Sequence, residues 1–320
     1  MLSVRWRTLG AVFAALVSLV VLSPQSHATA GDPPLTIPQA TLDAALSCPT
    51  TYPDTTREPV LLLHGTGTNA EENWGWNYTP ALRDRGYDVC TVDLPLWALG
   101  DIQDATQYVV NAIQHIHTAT GRKVDVIGHS QGNLEMRWAA KWWPSVQNAV
   151  DDMVLVGNPG HGIIAESVVC VLPCATAGTQ FSAGSNFLEA LNGGDETPGP
   201  ITYTSIYSRG DAVVQPFTTA IQEGATNIAV QDICPGRVVG HIGLLFDSVT
   251  FRLVEDALTH TGPANPARLP FGTCLDVNMP GVTPAEATYG LTVAGPTALT
   301  RLATFGPFSW TEPPLKDYVQ

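Results

Sequence analysis

The chain has 320 residues, 44% of them hydrophobic, and a formal charge of −14. That acidity argues against nonspecific binding to nucleic acid or to anionic membranes, which carry the same sign of charge. A chain of this length and apolar content can bury a substantial core.

Residues 1–30 read as an export leader. Arg5 and Arg7 form a basic head, and the apolar stretch from Leu9 to Leu22 is too short to span a bilayer comfortably. Ala28-Thr29-Ala30 offers the small residues that a signal peptidase accepts. Cleavage after Ala30 leaves 290 residues with a charge of −16. With no second hydrophobic span, the mature protein is expected to be secreted, without a stable membrane anchor. Six cysteines, at 48, 90, 170, 174, 234 and 274, all fall in that mature part. An even count in an exported chain reads as three disulfides, with about fifteen pairings open. Zinc is not expected, because Cys170 and Cys174 have no second Cys or His pair at finger-like distance.

In chain order, the apolar run Pro59–His64 opens into Gly65-Thr66-Gly67 and reads as a buried strand followed by a loop. Helical character at Pro80–Arg85 and a strand at Tyr87–Asp93 follow. Asp101–His117 has helical spacing, with Ile102, Tyr108, Val109, Ala112, Ile113 and Ile116 on one face. His115 and His117 are two apart on that helix and point to different sides, which disfavours a metal site. Lys123–Ile127 is strand-like, Asn133–Trp143 helical with Trp138, Trp142 and Trp143 as core, and Val150–Gly157 another apolar strand. Residues 160–200 break the rhythm and are read as a small cap over the carboxyl end of the sheet. Strands at Ile201–Tyr207 and Thr226–Val230, a short run Arg237–Val239 and a helix Ile242–Leu258 come next. The tail, about 275–320, is rich in Pro, Gly and Thr, and its weak periodicity supports no assigned elements. The alternation predicts one α/β domain over 31–320: a mostly parallel central sheet with helices on both faces.

The chemistry centres on Gly128-His129-Ser130-Gln131-Gly132, a G-x-S-x-G string between a strand and a helix. In that context the serine occupies a sharp elbow that projects its hydroxyl above the sheet, beside the free N–H groups of the following helix. A serine hydroxyl needs a neutral imidazole in reach and an acid to orient that ring. On this architecture the chain order is serine, acid, histidine. His241, in Gly240-His241-Ile242-Gly243, is favoured over His260 at a helix end, and His161 comes too early. Asp211, just beyond a strand and after Gly210, is favoured over Asp195, Glu196, Asp232 and Asp247. The oxyanion hole is assigned to the backbone N–H of Gln131 and to Thr66 in the glycine-rich loop. Trp74 and Trp76, just past that loop, are candidates for lining a substrate pocket, with core packing as the alternative. No cofactor and no metal are required.

Several stretches in register resemble the α/β-hydrolase lipases of the Candida antarctica lipase B type, and more closely their secreted actinobacterial relatives. They are residues 41–48, Pro59-Val60-Leu61-Leu62-Leu63 with Gly65-Thr66-Gly67-Thr68, Ser130-Gln131-Gly132, residues 207–216 and Gly240-His241-Ile242-Gly243. The resemblance implies an α/β-hydrolase fold, Ser130 as nucleophile, Asp211 as acid, His241 as base, and Thr66 with Gln131 as the oxyanion hole. It also implies disulfides Cys48–Cys90 and Cys234–Cys274, leaving Cys170–Cys174 as a local bridge in the cap. Gly128-His129 stands where the fungal type has Thr-Trp, so the alcohol pocket is expected to have a different floor, with His129 part of it. The implied activity is hydrolysis of hydrophobic carboxylic esters, acylglycerols among them, with a lipid–water interface as one place to meet them. A polyester depolymerase or an acyltransferase uses the same triad, and a noncatalytic secreted binding protein is the remaining class.

Overall fold

The computed structural model describes residues 31–53, 56–164 and 172–319. The expected leader, residues 1–30, and Cys170 lie outside them. The strands in chain order are β1 (Leu46–Ser47), β2 (Val60–Leu63), β3 (Val89–Val92), β4 (Val124–His129), β5 (Val150–Val156), β6 (Cys174–Ala175), β7 (Thr202–Tyr207), β8 (Thr226–Ala229) and β9 (Phe308–Ser309). One sheet runs β1-β3-β2-β4-β5-β7-β8. Its pairings are parallel except for β1 against β3.

The unbroken apolar run of β2 follows from that arrangement. Leu61 and Leu63 face one core, shared with Val109, Ile113, Met136 and Trp138. Val60 and Leu62 face the other, shared with Tyr78, Phe251 and Leu253. Helices Ile102–Thr120 and Gly132–Trp142 cover the first face, while Tyr78–Arg83 and Ser248–Thr259 cover the second. A strand buried on both faces has no solvent side to call for polar alternation. The helix Ile102–Thr120 starts where Asp101 Oδ1 accepts the Gln103 N–H at 2.9 Å, and it ends at Gly121, whose φ is 67°. Both ends are therefore set by local sequence.

The sheet order also fixes where a site can form. From β2 the chain crosses to β3 on one side, then returns past β2 to place β4 on the other. The carboxyl ends of β2 and β4 thus flank a topological switch point, where diverging loops open a crevice.

Two disulfides brace the frame: Cys48–Cys90 and Cys234–Cys274. Both are pairings that the family resemblance implies. Cys174 is disulfide-bonded as well; its expected partner Cys170 is outside the described residues. Among those residues no helix is long and apolar enough to cross a membrane.

Two expectations need correction. The helix expected over Ile242–Leu258 is two elements, a 3-10 turn at Ile242–Leu245 and an α-helix at Ser248–Thr259. Asp247 separates them, its Oδ2 accepting the Thr250 N–H at 2.9 Å as an N-cap. The tail, assigned no elements, folds into helices at Pro284–Tyr289 and Gly295–Thr304 joined by a π-turn, and then into β9, which pairs with β6. Within 160–200, helix Asn186–Asn192 packs beside helix Gly132–Trp142, and helix Thr176–Gln180 packs against Asn186–Asn192. Phe187 stacks on Trp138 with ring centroids 4.4 Å apart.

Candidate active site

At the end of β4 the chain turns sharply. Ser130 has φ 54°, in the left-handed region that a non-glycine residue enters only under constraint. The glycines around it are steric necessities: a Cβ at Gly132 would lie 2.7 Å from the backbone oxygens of Leu63 and His64, and one at Gly128 would lie 2.6 Å from Asn133 Oδ1. The elbow is held from behind by Asn133, whose Nδ2 donates to the Ser130 carbonyl at 2.8 Å and to the Val156 carbonyl at 3.0 Å.

Asp211 and His241, thirty residues apart in sequence, are joined by a 2.7 Å hydrogen bond from His241 Nδ1 to Asp211 Oδ2. The other carboxylate oxygen accepts the N–H groups of Val213 at 2.8 Å and Val214 at 2.9 Å. Burial alone would raise the pKa of Asp211, but the imidazole charge, its hydrogen bond and those two backbone donors outweigh it and hold the carboxyl below its usual range. Asp211 therefore stays ionised and can fix one tautomer of the ring. Ser130 Oγ makes no hydrogen bond among the described residues. The hydrogen bond expected between Ser130 and His241 is thus not made among them; bonds between a nucleophile and its base are commonly long without substrate.

His129 is buried, its ring 4.8 Å from that of His241, with Nε2 facing the His241 carbonyl at 3.4 Å. Burial, and then the neighbouring imidazole, push its pKa down to about 3. It is neutral at working pH and adds no competing cation beside His241. Trp74 has no exposed surface and packs edge-on against Tyr78. Trp76 is half-buried between Phe246 and Tyr289.

The loop after β2 comes over the elbow. His64 fixes its start: the Leu94 N–H donates to Nε2 at 2.9 Å, so Nδ1 carries the proton and donates to the Gly65 carbonyl at 2.9 Å. Thr66 Oγ donates to Gln131 Oε1 at 2.5 Å, and Gln131 Nε2 donates to Glu135 Oε1 at 2.7 Å. The tail contributes Arg301, which sequence reasoning passed over. Its guanidinium holds the Gly67 carbonyl at 3.0 Å, pairs with both carboxylate oxygens of Glu72, and lies 4.8 Å over the Trp97 ring.

Glu135 is fully buried, which pushes its pKa up from 4.5 to about 8. The sign of the linkage follows. Below pH 4.5 the carboxyl is protonated in both states; above it the unfolded chain ionises while the folded one keeps its proton to about pH 8. Stability is therefore lost as pH rises through that window and levels off beyond it. Glu135→Gln is expected to gain on wild type by roughly 3 kcal/mol at pH 7 and by almost nothing at pH 4. Urea unfolding at both pH values checks this, and a gap independent of pH would overturn it.

A mostly parallel sheet with a strand-to-helix elbow at its switch point defines an α/β-hydrolase. The chain belongs to the lipase (class 2) family, whose sequence profile matches residues 57–241. It is 27% identical over 325 aligned positions to lipase B of Pseudozyma antarctica, spanning 98% of this chain and 94% of that one. The crystal structure of Aspergillus fumigatus lipase B superimposes with a TM-score of 0.84 at 29% identity, covering 91% of this chain and 74% of the other. A Bacillus licheniformis lipase in its propeptide form shares the fold at TM-score 0.56 and 17% identity, over 69% of this chain and 54% of its own. The protein is a carboxylic-ester hydrolase.

Proposed function

We propose that this is a secreted lipase-like esterase that cleaves esters of hydrophobic acyl chains through Ser130, His241 and Asp211, with an acyl-enzyme intermediate. The observation that carries the reading is the 2.7 Å His241–Asp211 bond, with the His241 ring 4.8 Å from that of His129, the residue next to a serine held at φ 54°. Ser130 Oγ attacks the ester carbonyl as His241 Nε2 takes its proton. The imidazolium is stabilised by ionised Asp211, and it returns the proton to the departing alkoxide. Water then repeats the sequence on the acyl-enzyme. The N–H groups of Thr66 and Gln131 receive the oxyanion, already oriented in a largely dry site.

Secretion is supported by the basic-then-apolar leader and by disulfides, which persist in oxidising compartments. Residues 31–320 form one catalytic domain, with 160–200 as its cap. Exposed Leu96, Leu291, Val293 and Leu299 give the surface apolar character suited to a lipid–water interface.

A fluorophosphonate probe tests the reading. It is expected to label Ser130 alone and to abolish hydrolysis of a p-nitrophenyl ester series of increasing acyl length. Labelling elsewhere with full loss of activity would remove the assignment.

A further inference from the structure

The mechanism uses only the backbone N–H of Gln131, which leaves its side chain and a buried carboxyl beside it without a role. The two walls of the oxyanion pocket come from separate stretches, the loop after β2 and the elbow after β4, and one amide spans them. Thr66 Oγ donates to Gln131 Oε1 at 2.5 Å, and Gln131 Nε2 donates to Glu135 Oε1 at 2.7 Å. Glu135 lies one turn along helix Gly132–Trp142, directly under Gln131. It is 0% exposed, and its Oε2 has no hydrogen-bond partner among the described residues. A core-facing helical position is ordinarily filled by an apolar side chain, since burying a carboxyl without full compensation is unfavourable.

The two ends of an amide differ in chemistry. An acceptor at Glu135 captures the NH2 end, so the carbonyl end must face Thr66 and the Thr66 hydroxyl must donate to it. If the amide turned over, its NH2 group would meet Thr66, the bond would reverse, and the threonine proton would point elsewhere. Asn73 Oδ1 also links the walls, meeting the Gly65 N–H and His129 Nδ1, but among the described residues the Gln131 amide is the side-chain link that joins Thr66 to Gln131 themselves.

We propose that Glu135 is a positioning residue for the oxyanion hole: it holds the Gln131 amide in the orientation that locks Thr66, so that both backbone donors converge before substrate arrives. This rests on the reading of Thr66 and Gln131 as the oxyanion donors. Glu135 touches neither substrate nor reacting atoms and acts through Gln131. Its raised pKa, about 8, fits that role: a protonated carboxyl still accepts through its carbonyl oxygen and places no negative charge behind a developing oxyanion.

The test is steady-state kinetics of the mature protein on p-nitrophenyl butyrate with E135L, E135Q, T66V, the double variant E135L/T66V, and S130A as reference. Loss of the bridge is expected to lower kcat about tenfold in E135L and in T66V, with KM within about twofold, because the displaced donors act mainly in the transition state. The double variant is expected to be no worse than either single one, since both break one chain of bonds. E135Q, which keeps an acceptor, is expected to restore kcat to within about threefold of wild type. If E135L does not fold, Gln131→Met removes both links while keeping the backbone donor, and decides in its place. A kcat within about twofold of wild type in E135L or Gln131→Met, an E135Q as impaired as E135L, or additive losses in the double variant would overturn the role of Glu135. Full activity in S130A would instead overturn the acyl-transfer reading beneath it.

Discussion

Ser130→Ala is expected to lower kcat/KM for a soluble ester by about 10⁴-fold or more while leaving the unfolding curve nearly unchanged. The kinetic part follows from removing the only atom that forms the acyl bond; what remains is the modest acceleration that binding and an oxyanion hole supply. The stability part follows from the structure. Ser130 Oγ has no hydrogen bond among the described residues to lose, and alanine meets the same strain at φ 54° as serine does. Ser130→Gly separates the two effects. It is as inactive, yet glycine enters the left-handed region freely, so it is expected to be more stable than Ser130→Ala by about 1 kcal/mol. His241→Ala added to Ser130→Ala is expected to cost nothing further, because the two act as one unit. Turnover above about 1% in Ser130→Ala, with contamination excluded by active-site titration, would end the mechanism.

What the sequence discloses and what it hides divide along physical lines. β2 and the strands β4 and β5 were legible because a doubly covered strand is written as an apolar run, and helix Ile102–Thr120 because one apolar face repeats along it. The break at Asp247 had a signal that went unused: an Asp followed three residues later by Thr250, whose N–H it caps. The tail carried one too, since Thr283 and Glu286 form a capping box in T-x-x-E order. Its periodicity failed because the helix after Pro284 leaves Leu291, Val293 and Leu299 about half exposed, so apolar residues ring it instead of marking a buried face. The short run Arg237–Val239 that leads to His241 is loop: Val238 is 95% exposed and the arginine is spent on carbonyls packed beside it.

At the site, chain order together with loop position singled out Asp211 and His241, which the structure joins by a hydrogen bond. Glu135 and Arg301 could not be found that way. A glutamate in a helix is ordinarily solvated, and nothing in its neighbours announces that it is sealed under Gln131. Arg301 reaches the β2 loop from more than two hundred residues away, through a helix that was itself unread.

Arg237→Met is expected to be the most destabilising single change outside the apolar cores, at about 4 kcal/mol and roughly 10 °C in Tm. Arg237 is one side chain with five partners, two of them part-buried. Its guanidinium meets Asp247 Oδ1 at 2.5 Å, Ser248 Oγ at 3.1 Å, and the carbonyls of Cys274, Asp276 and Val277 at 3.2, 2.6 and 2.9 Å. The side chain is 10% exposed and that of Asp247 4% exposed, so the pair is desolvated and removing the cation strands a buried carboxylate. The carbonyls belong to exposed residues of the segment that Cys274 anchors to Cys234, so most of the loss is expected from the Asp247 pair. Asp247 retains its cap on Thr250, so helix Ser248–Thr259 is expected to survive. The added change Asp247→Asn relieves the stranded charge and is expected to recover at least 1 kcal/mol, which a purely geometric role for Arg237 would not allow. Because Arg237 sits four residues before His241, kcat is expected to fall with stability on warming, whereas active-site titration at 10 °C should remain complete. Urea unfolding of the two variants against wild type decides it; a loss under 1 kcal/mol in Arg237→Met would show that those five contacts are surface bonds of little net worth.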